Sequence, residues 1–323
     1  MIKLLNVLAI IFPLIAFSSV SVNGNFAATK YCPAYLSKNK KNNPDNLMVI
    51  PSQNYPIREI NRPVNPDWLR IELSNAAHSL RWVSTECGTY YVDANGKTSC
   101  EQSPGLADSY VLALSWQPGF CQTYGYEAGK PECFKLPADS YQATHLVLHG
   151  LWPNQQICGE SYGFCGVEAK KHHCDYPAIS LSKEVSQDLQ QFMPSYAAGS
   201  CLERHEWNKH GSCQVLSSDA YFALAIRLNR EANQTSLGQF LHEHVGETVK
   251  REQLRTMVRE SFGENAAYKI FLGCKNGILV DIFIQLPALI PQTDSLQTLV
   301  NKAPDFERAE GCPGNLMISD FNI

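Results

Sequence analysis

The chain has 323 residues, 44% of them hydrophobic and 18% charged, with a formal net charge of −4. That apolar fraction supports a sizeable core and excludes a disordered or collagen-like chain. The negative balance excludes tight, sequence-blind duplex binding, which needs many phosphate-neutralising cations, but leaves room for an enzyme that meets nucleic acid at a local site. In chain order, the first element is an early lysine, Lys3, then an apolar run from Leu4 to about Phe17 broken by Pro13, then a small polar tail, Ser18 to Gly24. This reads as a secretory leader over residues 1–28, cut near Gly24 or Ala28. The run is short for a membrane anchor, and no later stretch is apolar and long enough to span a bilayer. All twelve cysteines follow the leader, and an even number in an exported chain argues for disulfides. Cys158, Cys165, His172, His173 and Cys174 cluster like metal ligands, but none of the C-x2-C or H-x3-H zinc spacings is present.

Residues 29–105 read as an N-terminal extension of unknown role. Lys38 to Pro44 is charged and turn-rich, and prolines recur at 51, 56, 63 and 66. Leu80–Val83 and Thr89–Val92 are strand-like, and Asp93 to Gly96 signals a turn. From 106 to 323 the pattern sharpens into a second domain. Tyr110–Trp116 is a buried strand closed by Pro118 and Gly119, and His145–His149 is another, ended by Gly150. Apolar stripes predict helices over Asp219–Asn229, Thr235–Val245 and Lys250–Phe262, the last stopped by Gly263. Tyr268–Leu272 is a strand. Leu279–Leu286 alternates, with Val280, Ile282, Ile284 and Leu286 on one face and Asp281 and Gln285 on the other. Helices and strands intersperse without strict βαβ order, so the class is α+β. Asn233, Gln234 and Thr235 form a glycosylation sequon.

Two short segments concentrate reactive residues. Residues 149–153 read H-G-L-W-P, and residues 203–213 read E-R-H-E-W-N-K-H-G-S-C. Wound as a helix, the second places Glu206 and His210, and likewise His205 and Lys209, at i, i+4. His205, Glu206, Lys209 and His210 therefore share one polar face, while Trp207 points away and can anchor the helix in the core. A zinc-protease helix would need histidines at i and i+4. Position i+4 from His205 is Lys209, the imidazoles of His205 and His210 stand about 140° apart, and a cation between them repels a dication. Without metal, such a face suits an anionic substrate. Lys209 and a protonated His205 can hold a phosphate. Glu206 acts as acid, base or charge balancer. His210 and a second histidine can divide general base and general acid between them, since imidazole titrates at about 6.5. His149, at a strand end before a glycine, is the natural partner. Trp152 either stacks on a base or packs into the core.

The H-G-L-W-P and H-E-W-x-K-H-G-x-C segments are similar to the two catalytic-site motifs of the ribonuclease T2 family. The chain from about Ser109 to Ile318 resembles the bacterial, periplasmic-type branch of that family. The resemblance implies an α+β fold with a central antiparallel sheet flanked by helices and braced by disulfides. It implies an endoribonuclease without metal or cofactor, cleaving single-stranded RNA by transesterification through a 2′,3′-cyclic phosphate, then more slowly to a 3′-phosphate. DNA, which has no 2′-OH, is not a substrate. By the same resemblance His210 is the base that takes the 2′-OH proton and His149 the acid that protonates the leaving 5′-oxygen. Glu206 and Lys209 stabilise the phosphorane, His205 binds the phosphate and Trp152 stacks on a base. The protein would be an exported monomer, periplasmic or secreted, with no membrane attachment once the leader is gone. Disulfides Cys274–Cys312 and Cys174–Cys213 are implied, with Cys121–Cys133 as a local bridge and Cys201 joined to Cys158 or Cys165; Cys32, Cys87 and Cys100 are unassigned. Asn154 stands where some members carry an acidic residue that reads a base, so a weak base preference is expected. His145, His172, His173, His242 and His244 match no motif and are read as surface or structural. A catalytically idle binding or storage member would typically lack a catalytic histidine, and here both His149 and His210 are present.

Overall fold

The structure, a computed structural model, describes residues 19–62, 65–73, 79–93, 102–155, 158, 161–305 and 311–321. The turn expected at 93–96 lies outside the described residues beyond Asp93. Among the described residues no helix is long and apolar enough to cross a membrane. Two sheets organise the chain, the first antiparallel and the second antiparallel but for one parallel bridge, Ile278 to Met317.

The first sheet is built from β1 (Val20–Ala28), β2 (Asn54–Ile60), β3 (Trp68–Glu72), β4 (Leu80–Ser84) and β5 (Gly88–Asp93), in the order β4-β3-β2-β1-β5. Phe26 on β1 stands opposite Tyr55 on β2 and Tyr90 on β5. One face carries its own apolar cluster, in which Phe26, Ile57, Ile60, Leu69, Ile71 and Val83 are fully buried. The Cys32–Cys87 disulfide ties the sheet's first connection to the start of β5. Residues 20–28, assigned above to the end of the leader, form β1, an internal strand paired on both sides. Their alternation of Val20 and Val22 with Ser21 and Asn23 suits a half-buried strand.

The second sheet carries the chemistry. Its strands are β6 (Ser109–Trp116), β7 (Leu146–Asn154), β8 (Glu247–Lys250), β9 (Ile270–Lys275), β10 (Ile278–Pro287) and β11 (Asn315–Ile318), in the order β8-β11-β10-β6-β7, with β9 also paired to β10. Every residue of β6 is buried, as a central strand covered on both faces must be. Helices α1 (Lys183–Phe192), α2 (Leu202–Lys209), α3 (Ser218–Asn233), α4 (Ser236–Glu243), α5 (Arg251–Phe262) and α6 (Leu296–Lys302) flank it. The fold is the expected α+β arrangement of an antiparallel sheet flanked by helices.

α3 begins where the Ser217 hydroxyl caps the amide of Ala220, and buries Tyr221, Phe222, Ala225 and Leu228 against the sheet. Its polar residues serve β7, an edge strand whose outer backbone would otherwise be unpaired. Asn229 and Asn233 donate to the carbonyl of Leu146, Asn233 accepts from the Leu146 amide, and the Tyr221 hydroxyl donates to Leu151 O at 2.7 Å. Asn233, the sequon asparagine, is therefore buried and committed to the backbone of β7, not free to carry a glycan. β7 also differs from expectation in length. It runs through Gly150 to Asn154, with a bulge at His149, because Leu148 faces Leu114 while Gly150 already faces Ala113.

Five disulfides join described cysteines, and two depart from expectation. Cys121–Cys133 and Cys274–Cys312 are present. Cys174 pairs with Cys201 instead of Cys213, and Cys213 pairs with Cys165. Cys201 and Cys213 bracket α2, so each end of that segment reaches a different part of the preceding loop. The two sheets meet where Asn54 Nδ2 on β2 donates to Tyr110 Oη on β6 at 3.4 Å, and the connecting loops add bonds from Gly105 N to Cys213 O at 2.9 Å, Tyr162 Oη to Ser103 O at 2.7 Å, and Gln292 Nε2 to Ser52 O at 3.3 Å.

Candidate active site

α2 is short and held at both ends. Its N-cap, Cys201, takes a left-handed conformation, φ 62°, uncommon without glycine, and is tied to Cys174. Arg204 donates to the carbonyls of Cys174 and Tyr176, at 3.3 and 2.9 Å, which docks the 173–176 turn on the helix. At the other end Phe164 N donates to Lys209 O at 2.7 Å, and Cys165 is bonded to Cys213. The helix stops at Lys209, and His210 is its C-cap. Trp207 packs edge-on against Tyr221, 5.8 Å between centroids, and lies against the main core. Its indole sits where a Cβ on Gly211 would be, 2.2 Å from Cε3, so only glycine fits at 211.

The expected polar face points at β7. The Glu206 carboxyl accepts a hydrogen bond from Trp152 Nε1 at 2.7 Å, and its other oxygen stands 3.7 Å from His149 Nε2. It lies directly over Gly150, where a Cβ would come within 1.9 Å of Oε2. Gly150 thus makes room for the carboxylate as well as shaping the bulge. Trp152 is the hub. It stacks on His210 at 5.1 Å and 21°, and meets His149 edge to face at 5.2 Å and 83°. On its sheet side Trp152 meets Phe283 at 5.4 Å. His149, Trp152, Glu206 and His210 are therefore one cluster, and Lys209 and His205 lie close enough to lower the His210 imidazole's pKa.

Burial dominates the electrostatics. It pushes Glu206 up to about 8, against smaller downward pulls from the Trp152 hydrogen bond and the Lys209 ammonium. Burial, then Lys209 and His173, lowers His149 to about 4. Burial, then His173 and Lys209, lowers His205 to about 4. His210 is held well below its ordinary value by burial, then by Lys209. The Nδ1 atoms of His205 and His210 are buried without a hydrogen-bond partner, which disfavours an imidazolium that would need acceptors on both nitrogens. Near pH 6 the 3.7 Å His149–Glu206 contact thus joins two neutral groups and is no salt bridge.

All six expected residues, His149, Trp152, His205, Glu206, Lys209 and His210, fall in this one region. His173, read from the sequence as surface or structural, also reaches the cluster: its ring stacks on His205 at 4.2 Å and 22°. Lys130, not singled out from sequence, acts with it to lower His205 and His149. The signal for His173 was its neighbour Cys174, whose true partner is Cys201. Cys165 and Cys174, which tempted a metal reading, are spent in disulfides and offer no thiolate. Among the described residues no group of three or more His, Cys, Asp or Glu side chains is arranged to hold a metal ion.

Comparison with known proteins places these features in a family. The family model described as "Ribonuclease T2 family" matches residues 107–293. Ribonuclease I of Escherichia coli (strain K12) is 31% identical over 222 residues, 61% of this chain and 82% of that protein. The extracellular ribonuclease LE of Solanum lycopersicum is 28% identical over 164 residues, 48% of this chain and 65% of that one. Among solved structures, RNase NT in complex with 5′-AMP superposes with a TM-score of 0.48 at 19% identity, over 66% of this chain and 98% of that one.

Proposed function

The chain belongs to the ribonuclease T2 family, and from that premise we propose how this RNA endonuclease works: it cleaves single-stranded RNA by metal-independent transesterification. The observation that carries the reading is the pair of histidines, His149 and His210, packed on two sides of Trp152, with the Trp152–Glu206 hydrogen bond between them. His210, held neutral by burial, takes the proton of the ribose 2′-OH as that oxygen attacks phosphorus. The bond from phosphorus to the 5′-oxygen breaks, and His149 delivers a proton to the leaving oxygen. The products are a 2′,3′-cyclic phosphate and a free 5′-OH. In the slower second stage the same histidines act in reverse, and water opens the ring to a 3′-phosphate. Lys209 and a protonated Glu206 stabilise charge on the phosphorane, and His205 binds the phosphate. Trp152 holds Glu206 in place, and its proposed stacking on a base has to share the ring with His210, His149 and Phe283. With Asn154 in place of an acidic residue, base preference at that end of β7 is weak. DNA, lacking the 2′-OH, is not cut.

The pH dependence follows from the shifts. His149 must be protonated to act as acid, and its lowered pKa makes that form scarce above pH 6. A bound phosphate raises it by charge attraction. Activity on RNA therefore falls as pH rises from about 5 to 8. Above about 8 Glu206 ionises and repels the substrate phosphate.

Export belongs to the same reading, with a monomer acting in the periplasm or medium. The leader ends ahead of Val20 and not at Gly24 or Ala28, because either later cut removes part or all of β1 from the middle of its sheet. Intact mass of the exported protein tests this: loss of residues 20–28 would refute it. The test of function is incubation with unstructured RNA in excess EDTA at pH 5 to 8 beside a His149→Ala control. Cyclic-phosphate ends that vanish in the control are expected. Cleavage abolished by EDTA, or no cleavage by folded, oxidised protein, would overturn the proposal.

A further inference from the structure

The N-terminal sheet has a second face. Paired residues on neighbouring strands point to the same side of a sheet, and Tyr35, Trp82, Arg70 and Glu59 follow one another across it, from an edge segment through β4 and β3 to β2. Trp68 stands two residues before Arg70 and shares that side, opposite the buried Leu69, Ile71 and Val83. The rings interleave with cations. Lys38 Nζ stands 4.3 Å from the Trp82 ring centroid and the Arg70 guanidinium 5.9 Å from it, while Tyr35 meets Trp68 edge to face at 6.0 Å. Backbone pairing fixes the segment that brings Tyr35 and Lys38 here. Tyr35 N donates to Trp82 O at 2.8 Å and Trp82 N to Tyr35 O at 2.7 Å. Ser37 bridges Asn42 across the following turn, and the buried Arg81 guanidinium holds Asp45 beyond it. Lys38, Lys40 and Lys41 ride on that turn, the last two exposed.

Charge sets what this face can hold. Residues 29–93 carry eight Lys and Arg against six Asp and Glu, in a chain whose formal net charge is −4. Each of the four arginines is paired with a carboxylate: Arg58 with Glu72, Arg62 with Asp67, Arg70 with Glu59 and Arg81 with Asp45. Among the described residues Lys38, Lys40 and Lys41 pair with none. We propose that this face is a docking surface for single-stranded RNA outside the cleavage site, with the three lysines on its phosphates and Tyr35 and Trp68 against its bases. The inference rests on the proposed RNA-cleaving function and names how that substrate is retained. Single-strand binders combine these two features, cations that follow the backbone and rings on which any base stacks. Trp82, buried between Lys38 and Arg70, seats the two cations and is no platform itself. Tyr35 and Trp68 are half-buried and stay within reach of a base. A duplex hides its bases, so the surface selects single strands. A strand held here stays near the histidines after each cut, because a second contact on the same chain raises its local concentration.

The test uses the whole exported protein. Affinity for a long unstructured RNA is measured in EDTA in a His149→Ala background, which binds without cutting, with the three lysines intact or changed together (Lys38→Gln, Lys40→Gln and Lys41→Gln). Each phosphate contact with a single strand contributes about 0.7 to the slope of log affinity against log salt. With the lysines intact, affinity should therefore fall about 20-fold further between about 50 and 200 mM salt than without them. Trp68→Ala should weaken binding about tenfold at either salt, the scale of one stacked base. In cleavage by the otherwise wild-type enzyme, the lysine changes should raise KM for the long RNA and leave kcat/KM for a ribodinucleotide unchanged. An unaltered salt dependence overturns the surface. So does an equal loss on the ribodinucleotide, which would place the effect at the cleavage site or in the fold. Lysine-dependent binding to phosphatidylglycerol vesicles, with none to RNA, overturns it in favour of a membrane. Wild type that cleaves neither substrate overturns the functional reading, and the salt dependence of binding then decides the surface by itself.

Discussion

The two sheets divide labour in a way that their charges make plain. The N-terminal sheet is built on its own apolar cluster, with one fully buried charge, Arg81, paired to Asp45. Other ion pairs there, such as Arg58–Glu72 and Arg62–Asp67, lie at the surface, where such pairs contribute little. The second sheet gathers the chemistry: eight of the nine histidines, all but His78, lie from His145 to His244, and four described groups in the cluster are driven by burial toward their neutral forms. One region buries mainly what water rejects, with Arg81 the exception. The other buries what water would keep, and holds it there with disulfides and close-packed glycines. Stability and activity are thus drawn from different parts of the chain, and substitutions should separate them.

The sharpest break is Gly150→Ala. The added methyl occupies the space of the Glu206 carboxyl, so Glu206 and Trp152 must shift. Misplacement of about 1 Å costs roughly 100-fold in rate, with about 1–3 kcal/mol of overpacking strain. Steady-state cleavage and chemical denaturation measure both, and near-wild-type activity would refute the placement of Glu206. Removing disulfides tests the division itself. Cys32→Ser with Cys87→Ser and Cys174→Ser with Cys201→Ser should each cost about 2–4 kcal/mol. Only the second pair, which clamps α2, should also lower kcat in the protein that remains folded. Equal kcat losses would mean that the N-terminal sheet supports the site after all. The smallest effect is thermal. A carboxyl raised to about 8 in the fold contributes stability that is fully present below its unfolded value of about 4.3 and is lost as pH rises through 8. Glu206→Gln should therefore shrink the drop in Tm between pH 5 and pH 8.5 by a few degrees, and an unchanged drop would show that Glu206 is ionised throughout.

Much of the catalytic half is legible in the sequence because its spacing is periodic. The i, i+4 pairs of α2 bring His205, Glu206, Lys209 and His210 to one side, and the alternation of Leu279–Leu286 is β10. What escaped depends on long-range contacts. His173 reaches His205 because the Cys174–Cys201 bridge and the Arg204 hydrogen bonds hold its turn on α2, and spacing does not reveal that pairing. Gly150 looked like a strand end because glycine usually breaks a strand, whereas here it lets the strand bulge beneath a carboxylate. β1 was hidden by its position: residues 20–28 follow directly on a hydrophobic leader core, and their period-2 pattern is short enough to pass for a polar tail. The Ser115–Asp281 contact is illegible from the motifs, since Asp281 becomes a neighbour of Ser115 only when β10 pairs with β6.

That last pairing has a consequence for the making of the protein. Ser115 and Asp281 are 166 residues apart, and β10 emerges from the ribosome after every histidine of the cluster. Until it pairs, β6 has an open edge and Trp152 has no Phe283 beneath it. Closing so distant a contact is slow. The nascent chain, tethered to a machine built of RNA, therefore carries every residue of the proposed site but not the strand that Trp152 packs on, and a chain that stops before Ile278 should be inert.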